Sequence, residues 1–568
     1  MRHEFPSDWA RFTATTLTPG GLLAPLSITV LPEHHPFWSE GRSQAILSLR
    51  LLAAIKRLSP FPRIFSWLIC RSWDDKGNAA MYTYVADDNQ GINLSQANEG
   101  NRTEAVRTTE RYLSLVCYGN TQPYLPVWSE EGPETSVPSE WLFKVALDYG
   151  DHAQNAPTPA PGPGWPVRPD PFSNYRSTFE IRTYRRVQRI LYFNNFPQEN
   201  GVGADCLVRS TDLLYSDQQT PADPKNPIYT FVVSVIQTGY RSSGATYTSR
   251  SMPPLELEYS QPAIQQDVET ADSDSLANLP EGIDDSRFQW VDLDGEGTSG
   301  ILADWGGGWG YKPNLSPANR TPQPDGSVQT TASFGPLQSV ALLPSRSALA
   351  GQHLVDLSGG GHLDVVDFER PDPGFFERTW DEAWEPFHRF DRWPDIDWSD
   401  PNLKFVDLTG DGLTDILITE DGVYTLYPSL GKVGYGEARL VRTPWDEDRG
   451  PKVVMADGTQ TMFLADMTGD GLSDIVRVRN GEVSYWPNLG YGLFGTRVSM
   501  DHAPRFVDEE RFDPQRIRLA DVDGSGSADL VYIGGDGVQV CFNQSGNAWS
   551  APNCAALAGR APIPCPAR

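Results

Sequence analysis

Five short segments in the C-terminal half of the chain repeat a nonapeptide that is rich in aspartate and glycine. They read DLDGEGTSG, DLSGGGHLD, DLTGDGLTD, DMTGDGLSD and DVDGSGSAD, and they begin at residues 292, 356, 407, 466 and 521. Side chains with oxygen atoms tend to occupy positions 1, 3, 5 and 9. Oxygens at alternate positions of a tight glycine turn can converge, and Ca²⁺ prefers such hard oxygen ligands. The pattern therefore predicts calcium-binding loops.

The five copies are not equally complete as metal sites. The first copy lacks the closing acid because Gly300 stands there, and the second keeps only Asp356 and Asp364 as acids, so it should be the weakest site. The loop is not an EF-hand, since position 12 of the third copy is Ile418 instead of glutamate. The candidate metal ligands are Asp407, Thr409, Asp411, Asp415, Asp466, Thr468, Asp470, Asp474, Asp521, Asp523, Ser525, Asp529, Asp292, Asp294 and Glu296.

A purely structural interpretation explains the same residues. Aspartate accepts hydrogen bonds from backbone N–H groups two residues further on, and glycine supplies the positive φ that tight turns need. Both interpretations, calcium sites and structural turns, remain open from the sequence.

The elements around the loops predict a β-propeller. Each nonapeptide precedes a β-type run such as ILITE or IVRVR, and a second motif of the type YKPNL, YPSLG or YWPNLG follows at a nearly fixed distance. Repeated units of about fifty residues, each with a few strands joined by glycine turns, are typical of radial β architectures. A closed propeller is the simplest of these, because it leaves only short, protected strand edges.

The rest of the chain is also rich in strand patterns. A hairpin with the turn Asp75-Lys-Gly-Asn opens the pattern, whereas the run at 45–58 has a helix-like character. The predicted organisation is an unplaced segment 1–62, a β module 63–264 with a proline-rich loop 151–171, an acidic linker 265–285, a propeller 286–549 and an irregular tail 550–568.

Composition and charge limit the partners. With 46 basic and 74 acidic residues, the formal net charge is −28, which argues against nucleic acid, because phosphate binding needs a basic face. The N-terminus lacks a signal-peptide pattern, and the run at 45–58 is too short and too basic to span a bilayer. We therefore expect no membrane insertion and an extracellular or cytoplasmic location. The scattered cysteines predict mostly reduced thiols, with room for a disulfide near the C-terminus.

Several runs resemble a known family. WLFKVALDYGDH (141–152), WPVRPDPFSNYRSTFEIRTYRRVQRILYF (165–193) and GADCLVRSTDLLY (203–215) resemble the SpvB-type module of the B component of Tc insecticidal toxin complexes. FVDLTGDGLTDILITEDGVYTLYPSL (405–430) and FLADMTGDGLSDIVRVRNGEVSYWPNLGYG (463–492) resemble the FG-GAP/VCBS-type propeller of that component. The resemblance spans about residues 63–549.

The resemblance implies an all-β fold, with a partial SpvB-like module followed by a five- to six-bladed propeller. It implies a non-enzymatic component that joins a C component to enclose a cytotoxic segment. The propeller would dock on the pore-forming A component and act as a gate. Two departures lead us to expect a chain truncated at both ends: the family's module begins upstream of residue 63, and its chain continues into a Tyr/Asp-repeat shell where this sequence ends.

Two alternatives have different functions. The propeller could be a stand-alone binding module of the adhesin or lectin type, although such modules have no need of an SpvB-like partner. An ADP-ribosyltransferase is the second alternative, because some SpvB-type modules carry that domain. Glu256-Leu-Glu258 resembles the Glu-x-Glu pair of the class, but PPLELEYS alternates like a strand. We therefore expect these glutamates on a solvated strand face, and we assign no catalytic residue.

Overall fold

The computed structural model describes most of the chain between residues 65 and 556. The described residues are 27–29, 46–50, 65–66, 68–126, 128–129, 132–133, 136–219, 223–244, 246–259, 264, 271–279, 288–304, 308–322, 328–341, 353–368, 372–457, 459, 461–506, 512–535 and 537–556. The chain divides into two compact units: an N-terminal unit of Met1–Pro262 with Gln544–Ser550, and a C-terminal unit of Ala263–Asn543 with Ala551–Arg568.

The N-terminal unit contains one long antiparallel sheet with the order β1-β2-β3-β4-β5-β8-β11-β12-β13-β14, and β15 pairs with β13. Its strands are β1 (Ser27–Thr29), β2 (Ile46–Arg50), β3 (Leu68–Trp73), β4 (Ala79–Ala86), β5 (Arg111–Asn120), β8 (Trp141–Asp148), β11 (Arg189–Phe196), β12 (Gly203–Tyr215), β13 (Val232–Ser243), β14 (Thr246–Ser251) and β15 (Leu255–Glu256). Outside this sheet lie the pairs β6 (Trp128–Ser129) with β7 (Gly132–Pro133) and β9 (Phe172–Asn174) with β10 (Ile181–Thr183), and helices α1 (Glu104–Arg107) and α2 (Ser216–Gln219).

Strand β11 shows how the sequence builds this sheet. Its residues alternate between buried and half-buried over RILYF, which is the period of two expected when one face of a sheet covers a core. Leu191 and Phe193 point into a cluster with Ala146 of β8 and Leu207 of β12. The core therefore joins strands that are neighbours in the sheet.

The helix-like interpretation of the run at 45–58 is wrong where the structure describes it. Ile46–Arg50 is strand β2, paired antiparallel with β1 and β3. Pairing with neighbouring strands outweighs the weak helical preference of a short apolar run. Residues 51–58 lie outside the described residues. The segment left unplaced by the sequence, 1–62, thus contributes two strands to the sheet.

The C-terminal unit is a five-bladed β-propeller, as the repeats predict. Five four-stranded antiparallel sheets follow one another along the chain. They are blade 1 with β16 (Phe288–Val291), β17 (Gly300–Asp304), β18 (Trp309–Lys312) and β21 (Gln338–Ser339); blade 2 with β22 (His353–Val355), β23 (Asp364–Asp367), β24 (Gly374–Phe376) and β25 (His388–Arg389); blade 3 with β26 (Leu403–Val406), β27 (Asp415–Glu420), β28 (Val423–Tyr427) and β29 (Arg439–Arg442); blade 4 with β30 (Met462–Ala465), β31 (Asp474–Arg479), β32 (Glu482–Trp486) and β33 (Val498–Ser499); and blade 5 with β34 (Ile517–Ala520), β35 (Asp529–Ile533), β36 (Gly537–Cys541) and β37 (Asn553–Ala556). A hairpin of β19 (Arg320–Pro322) and β20 (Val328–Thr330) lies between β18 and β21. Each nonapeptide connects the first and second strands of its blade.

Neighbouring blades pack face to face through apolar side chains. Val365 of blade 2 joins a cluster with Leu302 of blade 1, whereas the next residue, Val366, joins a cluster with Ile416 of blade 3. Successive residues of a strand point to opposite faces, so one valine pair binds two neighbouring blades. Each such buried side chain stabilises the fold by roughly 1.5–3 kcal/mol.

Two boundaries differ from the sequence interpretation. Within the expected acidic linker 265–285, residues 271–279 carry helix α3 (Ser273–Leu276), and the other linker residues lie outside the described residues. The expected tail 550–568 contains strand β37, which completes the last blade; residues 557–568 are not described. Cys554 in this strand is disulfide-bonded. No helix among the described residues has the length and apolar character needed to cross a bilayer.

Candidate functional site: the aspartate loops of the propeller

The first aspartate of each nonapeptide holds its loop together. Asp407 Oδ1 accepts hydrogen bonds from the backbone N–H groups of Thr409 (3.0 Å) and Gly410 (2.7 Å), and Oδ2 accepts one from Gly412 (2.9 Å). The equivalent bond from position 6 to Oδ2 recurs at Asp292, Asp356, Asp466 and Asp521. Without it these N–H groups would lack a protein partner. This geometry agrees with the structural interpretation of the motif.

The closing aspartate at position 9 ties the loop to the residues that follow the third strand of its blade. Asp415 Oδ2 accepts from the N–H of Leu408 (3.1 Å), and its Oδ1 accepts from the N–H of Ser429 (2.7 Å). Asp474 and Asp529 make the same pair of bonds. The second partner always lies 14 residues further on. These bonds explain why the second sequence motif follows at a nearly fixed distance.

Burial raises the pKa of these closing carboxyl groups. Desolvation is the largest cause, and the backbone N–H groups offset only part of it. The pKa rises to about 6 for Asp364 and Asp415, to about 7 for Asp529, and well above its usual value for Asp474. Burial therefore favours the neutral form of these carboxyl groups, and the backbone N–H groups stabilise the charged form only in part.

Loops of neighbouring blades touch at their glycines. A Cβ atom added to Gly295 of blade 1 would lie 2.7 Å from the carbonyl oxygen of Gly361 in blade 2, and one added to Gly469 of blade 4 would lie 3.6 Å from Gly526 of blade 5. Such distances leave no room for a side chain in the first case. The nonapeptide loops thus converge at one end of the propeller, which makes that end a closely packed surface.

The first loop does not fit a calcium ion. Arg378 of blade 2 places its Nε 2.6 Å from Asp294 Oδ1, so a guanidinium group already supplies the positive charge there. Gly300 replaces the closing aspartate, and a Cβ at this position would lie 2.5 Å from the Tyr311 hydroxyl oxygen. The tyrosine therefore occupies space that a side chain at position 9 would need. Glu296 contributes its backbone N–H to Asp292.

The third and fourth loops use their candidate ligands internally. The Asp411 and Asp470 carboxylates accept from the N–H groups two residues further on, and Thr409 and Thr468 lie 3.5 Å from the carboxylates of Asp407 and Asp466. Among the described residues, neither loop brings three carboxylates within 4.8 Å of one another. The alternate spacing alone therefore does not bring three carboxylates together in these two loops.

The fifth loop fits a cation best. Carboxylate oxygens of Asp521, Asp523 and Asp529 lie within 4.8 Å of one another. Within the described part of the chain, Asp523 Oδ2 is buried without a hydrogen-bond partner. Burial raises the pKa of Asp523, and the neighbouring Asp521 raises it further. Ser525 turns its hydroxyl towards Ser527. Three crowded carboxylates with a spare oxygen are the donor set of a hard divalent ion such as Ca²⁺.

The N-terminal unit contains a network of buried ion pairs that no sequence motif predicted. Glu99 accepts from Arg107 (2.9 Å) and Arg182 (3.1 Å), and Glu180 accepts from Arg102 (2.7 Å). Burial alone would raise the pKa of Glu180, but the Arg102 and Arg182 guanidinium groups lower it to about 2. The run EIRTYRRVQR carried a signal, because so many arginines on buried strands require acidic partners.

The same run of arginines holds the proline-rich loop. Arg185 donates to Asp87 (2.9 Å) and lies 4.6 Å from the ring centroid of Trp165 in that loop. Arg189 donates to Asp148 (2.6 Å) and to the carbonyl of His152. These contacts fix a segment that has no regular structure of its own, over the described residues 151–171.

A second group with metal-ligand atoms surrounds His152 in this unit. Atoms of Asp148, Asp151 and His152 lie within 4.8 Å of one another. Burial would lower the pKa of His152, but the two aspartates raise it to about 9. A protonated histidine together with Arg189 already neutralises these carboxylates. The group is therefore better suited to an ion-pair cluster than to a metal.

The propeller exposes large aromatic side chains. Trp445 is 91% exposed and Trp380 is 86% exposed. Trp445 lies in the connection between blades 3 and 4, where Lys452 sits 5.2 Å above its ring. Trp380 lies between β24 and β25 and contacts the His362 ring edge-on at 4.2 Å between ring centroids. Exposed aromatic residues of this size are common at binding surfaces.

The N-terminal part of the chain is similar to a known family. A family model described as Salmonella virulence plasmid 65kDa B protein, SpvB, matches residues 41–196. The match begins upstream of residue 63, where the sequence resemblance was expected to start. The mono(ADP-ribosyl)transferase SpvB of Salmonella typhimurium is 33% identical over 217 residues, which is 37% of this chain and 34% of the relative. The chain thus spans about a third of that curated relative.

Solved toxin structures match both units. A chain in the structure of the Photorhabdus luminescens Tc holotoxin pore is 25% identical, with a TM-score of 0.73 over 95% of this chain and 24% of that chain. A chain of the TcdB2-TccC3 crystal structure is 25% identical, with a TM-score of 0.59 over 95% of this chain and 25% of that chain. The expected combination is confirmed: an SpvB-type module followed by a β-propeller, similar to chains of Tc toxins.

Proposed function

We propose that this chain is a non-enzymatic component of a Tc-type toxin complex, with the propeller serving as docking surface and gate towards a pore-forming A component. The supporting observation is the similarity to a Tc holotoxin chain, which covers 95% of this chain and therefore extends over both units. The match covers 24% of the toxin chain, so the remaining functions of that chain, including partnership with a C component, are part of the proposal.

The closely packed loops suit a gate. A gate needs a closed end that gives way without unfolding of the entire domain. Glycine contacts such as Gly295 with Gly361 close the loop end through backbone surfaces. The aspartate carboxylates hold each loop to its own blade, so blades can separate without loss of their internal bonds.

A competition experiment tests docking. The full chain is mixed with the pore-forming component of the Photorhabdus luminescens Tc holotoxin, and displacement of labelled TcdB2-TccC3 is measured by biolayer interferometry. We expect saturable displacement by this chain. Failure to bind or displace at concentrations where unlabelled TcdB2-TccC3 competes fully would overturn the docking proposal. A chain with Trp445→Ala and Trp380→Ala reports whether the exposed tryptophans contribute.

The exposed tryptophans also favour the second candidate, a stand-alone binding propeller of the adhesin or lectin type. Exposed aromatic side chains are suitable for stacking on sugars or apolar ligands. A glycan array on the full chain separates the candidates. Binding that is lost in Trp445→Ala, together with no displacement of TcdB2-TccC3, would support the second candidate over the first.

The position of Glu256 and Glu258, the pair that resembles a transferase motif, supports the non-enzymatic part of the proposal. Glu256 ends strand β15 at the edge of the sheet, and both Glu256 and Glu258 are exposed. Prolines 253 and 254 precede this strand, as is common where a protein protects a sheet edge. An NAD-hydrolysis assay on the full chain should show no turnover above buffer. Turnover that is abolished in Glu258→Gln would overturn this part.

A further inference from the structure

One face of blade 1 differs from the corresponding faces of the other blades. The strand register places Lys312 at the position that is held in blades 2 to 5 by Phe376, Tyr427, Trp486 and Cys541. In blades 2, 3 and 4 these side chains pack into the cluster shared with the preceding blade. Blade 1 therefore carries an ammonium group where its neighbours carry an apolar or aromatic side chain.

The Lys312 ammonium is fully buried and is bound by main-chain carbonyls. The residue is 0% exposed, and its Nζ donates to the carbonyl oxygens of Ala277 (2.9 Å) and Asp274 (3.3 Å). These carbonyls belong to the end of helix α3, where lysine side chains often satisfy unpaired carbonyls. A buried amine is costly unless such acceptors are present. Blade 1 thus depends on the segment before it.

That segment, residues 271–279, is bound to blade 1 by hydrogen bonds. Asp272 caps α3 by accepting from the N–H groups of Asp274 and Ser275, both at 2.9 Å. The Ser275 hydroxyl accepts from the N–H of Phe334 in blade 1 at 2.9 Å. Ser275 is buried, whereas the other residues of the segment are exposed or half-buried. Little apolar surface therefore holds the segment in place.

We propose that residues 271–279 form a releasable strap on blade 1. Segments held by few apolar contacts open locally before the rest of a fold. When the strap leaves, Lys312 loses both acceptors, and its ammonium must reach water through the face of blade 1 in which it lies. Detachment of the strap thereby loosens blade 1. That release of the strap controls opening of the propeller rests on the proposed function. That release loosens blade 1 does not depend on it.

Hydrogen exchange on the full chain tests the strap. Ser275→Ala removes the acceptor for Phe334, and Ser273→Ala is the matched control, because it removes an exposed hydroxyl from the same helix. The readout is amide exchange in Gly300–Asp304 and Trp309–Lys312. We expect about ten- to a hundredfold faster exchange in Ser275→Ala and none of this change in Ser273→Ala. Faster exchange confined to residues 271–279 would overturn the proposal.

A second variant tests the role of the ammonium. In a Lys312→Met background, blade 1 no longer buries a charge, so Ser275→Ala should not accelerate exchange in β17 and β18. An equal acceleration in both backgrounds would show that Lys312 does not couple strap and blade, and would overturn the proposal. If Lys312→Met does not fold, Lys312→Gln provides the uncharged background. The experiment needs no toxin partner, so its failure is distinguishable from failure of the docking proposal.

Discussion

The two units bury carboxylates with different partners. In the N-terminal unit, Glu99 and Glu180 face arginine guanidinium groups. In the propeller, Asp364 and Asp415 face backbone N–H groups. The consequence is opposite for protonation: arginines lower the pKa of Glu180 to about 2, whereas burial raises the pKa of Asp364 to about 6. A full positive charge offsets desolvation, and two or three backbone dipoles do not.

The partners of the buried carboxylates also show how each unit is organised. Arginine pairs connect segments far apart in sequence, such as Arg182 with Glu99 or Arg185 with Asp87. These ion pairs do not follow a repeated spacing along the chain. The aspartate bonds connect residues within one blade and recur at a constant spacing, as at Asp415 and Asp474. The N-terminal unit is therefore stabilised by individual ion pairs between distant segments, and the propeller by a hydrogen-bonding pattern that is repeated within each blade.

The largest predicted effect is on the arginine network. Glu99→Gln leaves the Arg107 and Arg182 guanidinium groups without their shared carboxylate, and we expect the N-terminal unit to lose about 3–5 kcal/mol of unfolding free energy. Urea denaturation of the full chain, followed by hydrogen exchange in β5 and β11, measures it. Asp205→Asn is the control in the same unit, because its ion pair with Lys144 is partly exposed and should be worth less than about 1 kcal/mol. Similar losses in both variants would contradict the comparison.

The pH dependence should have opposite signs in the two units. The pKa of Glu180 is lowered from 4.5 to about 2, so its stabilisation is present above pH 4.5 and is lost as pH falls towards 2. The pKa of Asp364 is raised from 3.8 to about 6, so its contribution is present below pH 3.8 and is lost as pH rises through about 6. Each shift corresponds to roughly 3 kcal/mol.

Unit-resolved hydrogen exchange checks these signs between pH 6 and pH 2. Asp364→Asn should flatten the slope of blade 2 between pH 4 and pH 6 and leave the N-terminal unit unchanged. If both units lose stability together as the pH falls from 6 to 4, the difference between arginine and backbone partners does not determine the pH dependence of the two units.

A smaller effect is expected at the glycine contacts. Gly295→Ala places a Cβ 2.7 Å from the Gly361 carbonyl oxygen at a φ of +72°, whereas Gly297→Ala has a similar φ of +81° and nothing within 4 Å. Both substitutions carry the cost of left-handed backbone, about 1–2 kcal/mol. Only the first adds a clash between blades, so we expect it to cost about 1 kcal/mol more. Equal unfolding free energies for the two variants would show that the loops can move apart freely.

The sequence predicted the repeated aspartate loops of the propeller but not the individual ion pairs of the N-terminal unit. Asp407, Gly410 and Gly412 recur as a motif, and a motif reveals a fold even when its chemistry stays open. The bond from Asp415 to Ser429 was visible only as a spacing between two motifs. Pairs such as Glu99 with Arg182 have no periodicity, so only the folded chain brings them together. The fifth loop has Asp523 at position 3 of the repeat, where the third loop has Thr409. This difference in sequence places a third carboxylate beside Asp521 and Asp529.

The smallest predicted effect is that of calcium, and it sharpens the comparison within the propeller itself. The fifth loop crowds Asp521, Asp523 and Asp529, whereas in the first loop Arg378 pairs with Asp294. Differential scanning calorimetry of the full chain, first with Ca²⁺ and then with excess EDTA, should show a reversible rise of about 2–4 °C in the propeller transition, equivalent to roughly 1 kcal/mol for a domain of this size. Asp523→Asn should abolish the rise, because it removes one carboxylate of the cluster, and Asp294→Asn should leave it intact. An unmoved transition in the unmodified chain would leave all five loops as structural turns, with Asp523 as a strained carboxylate instead of a ligand.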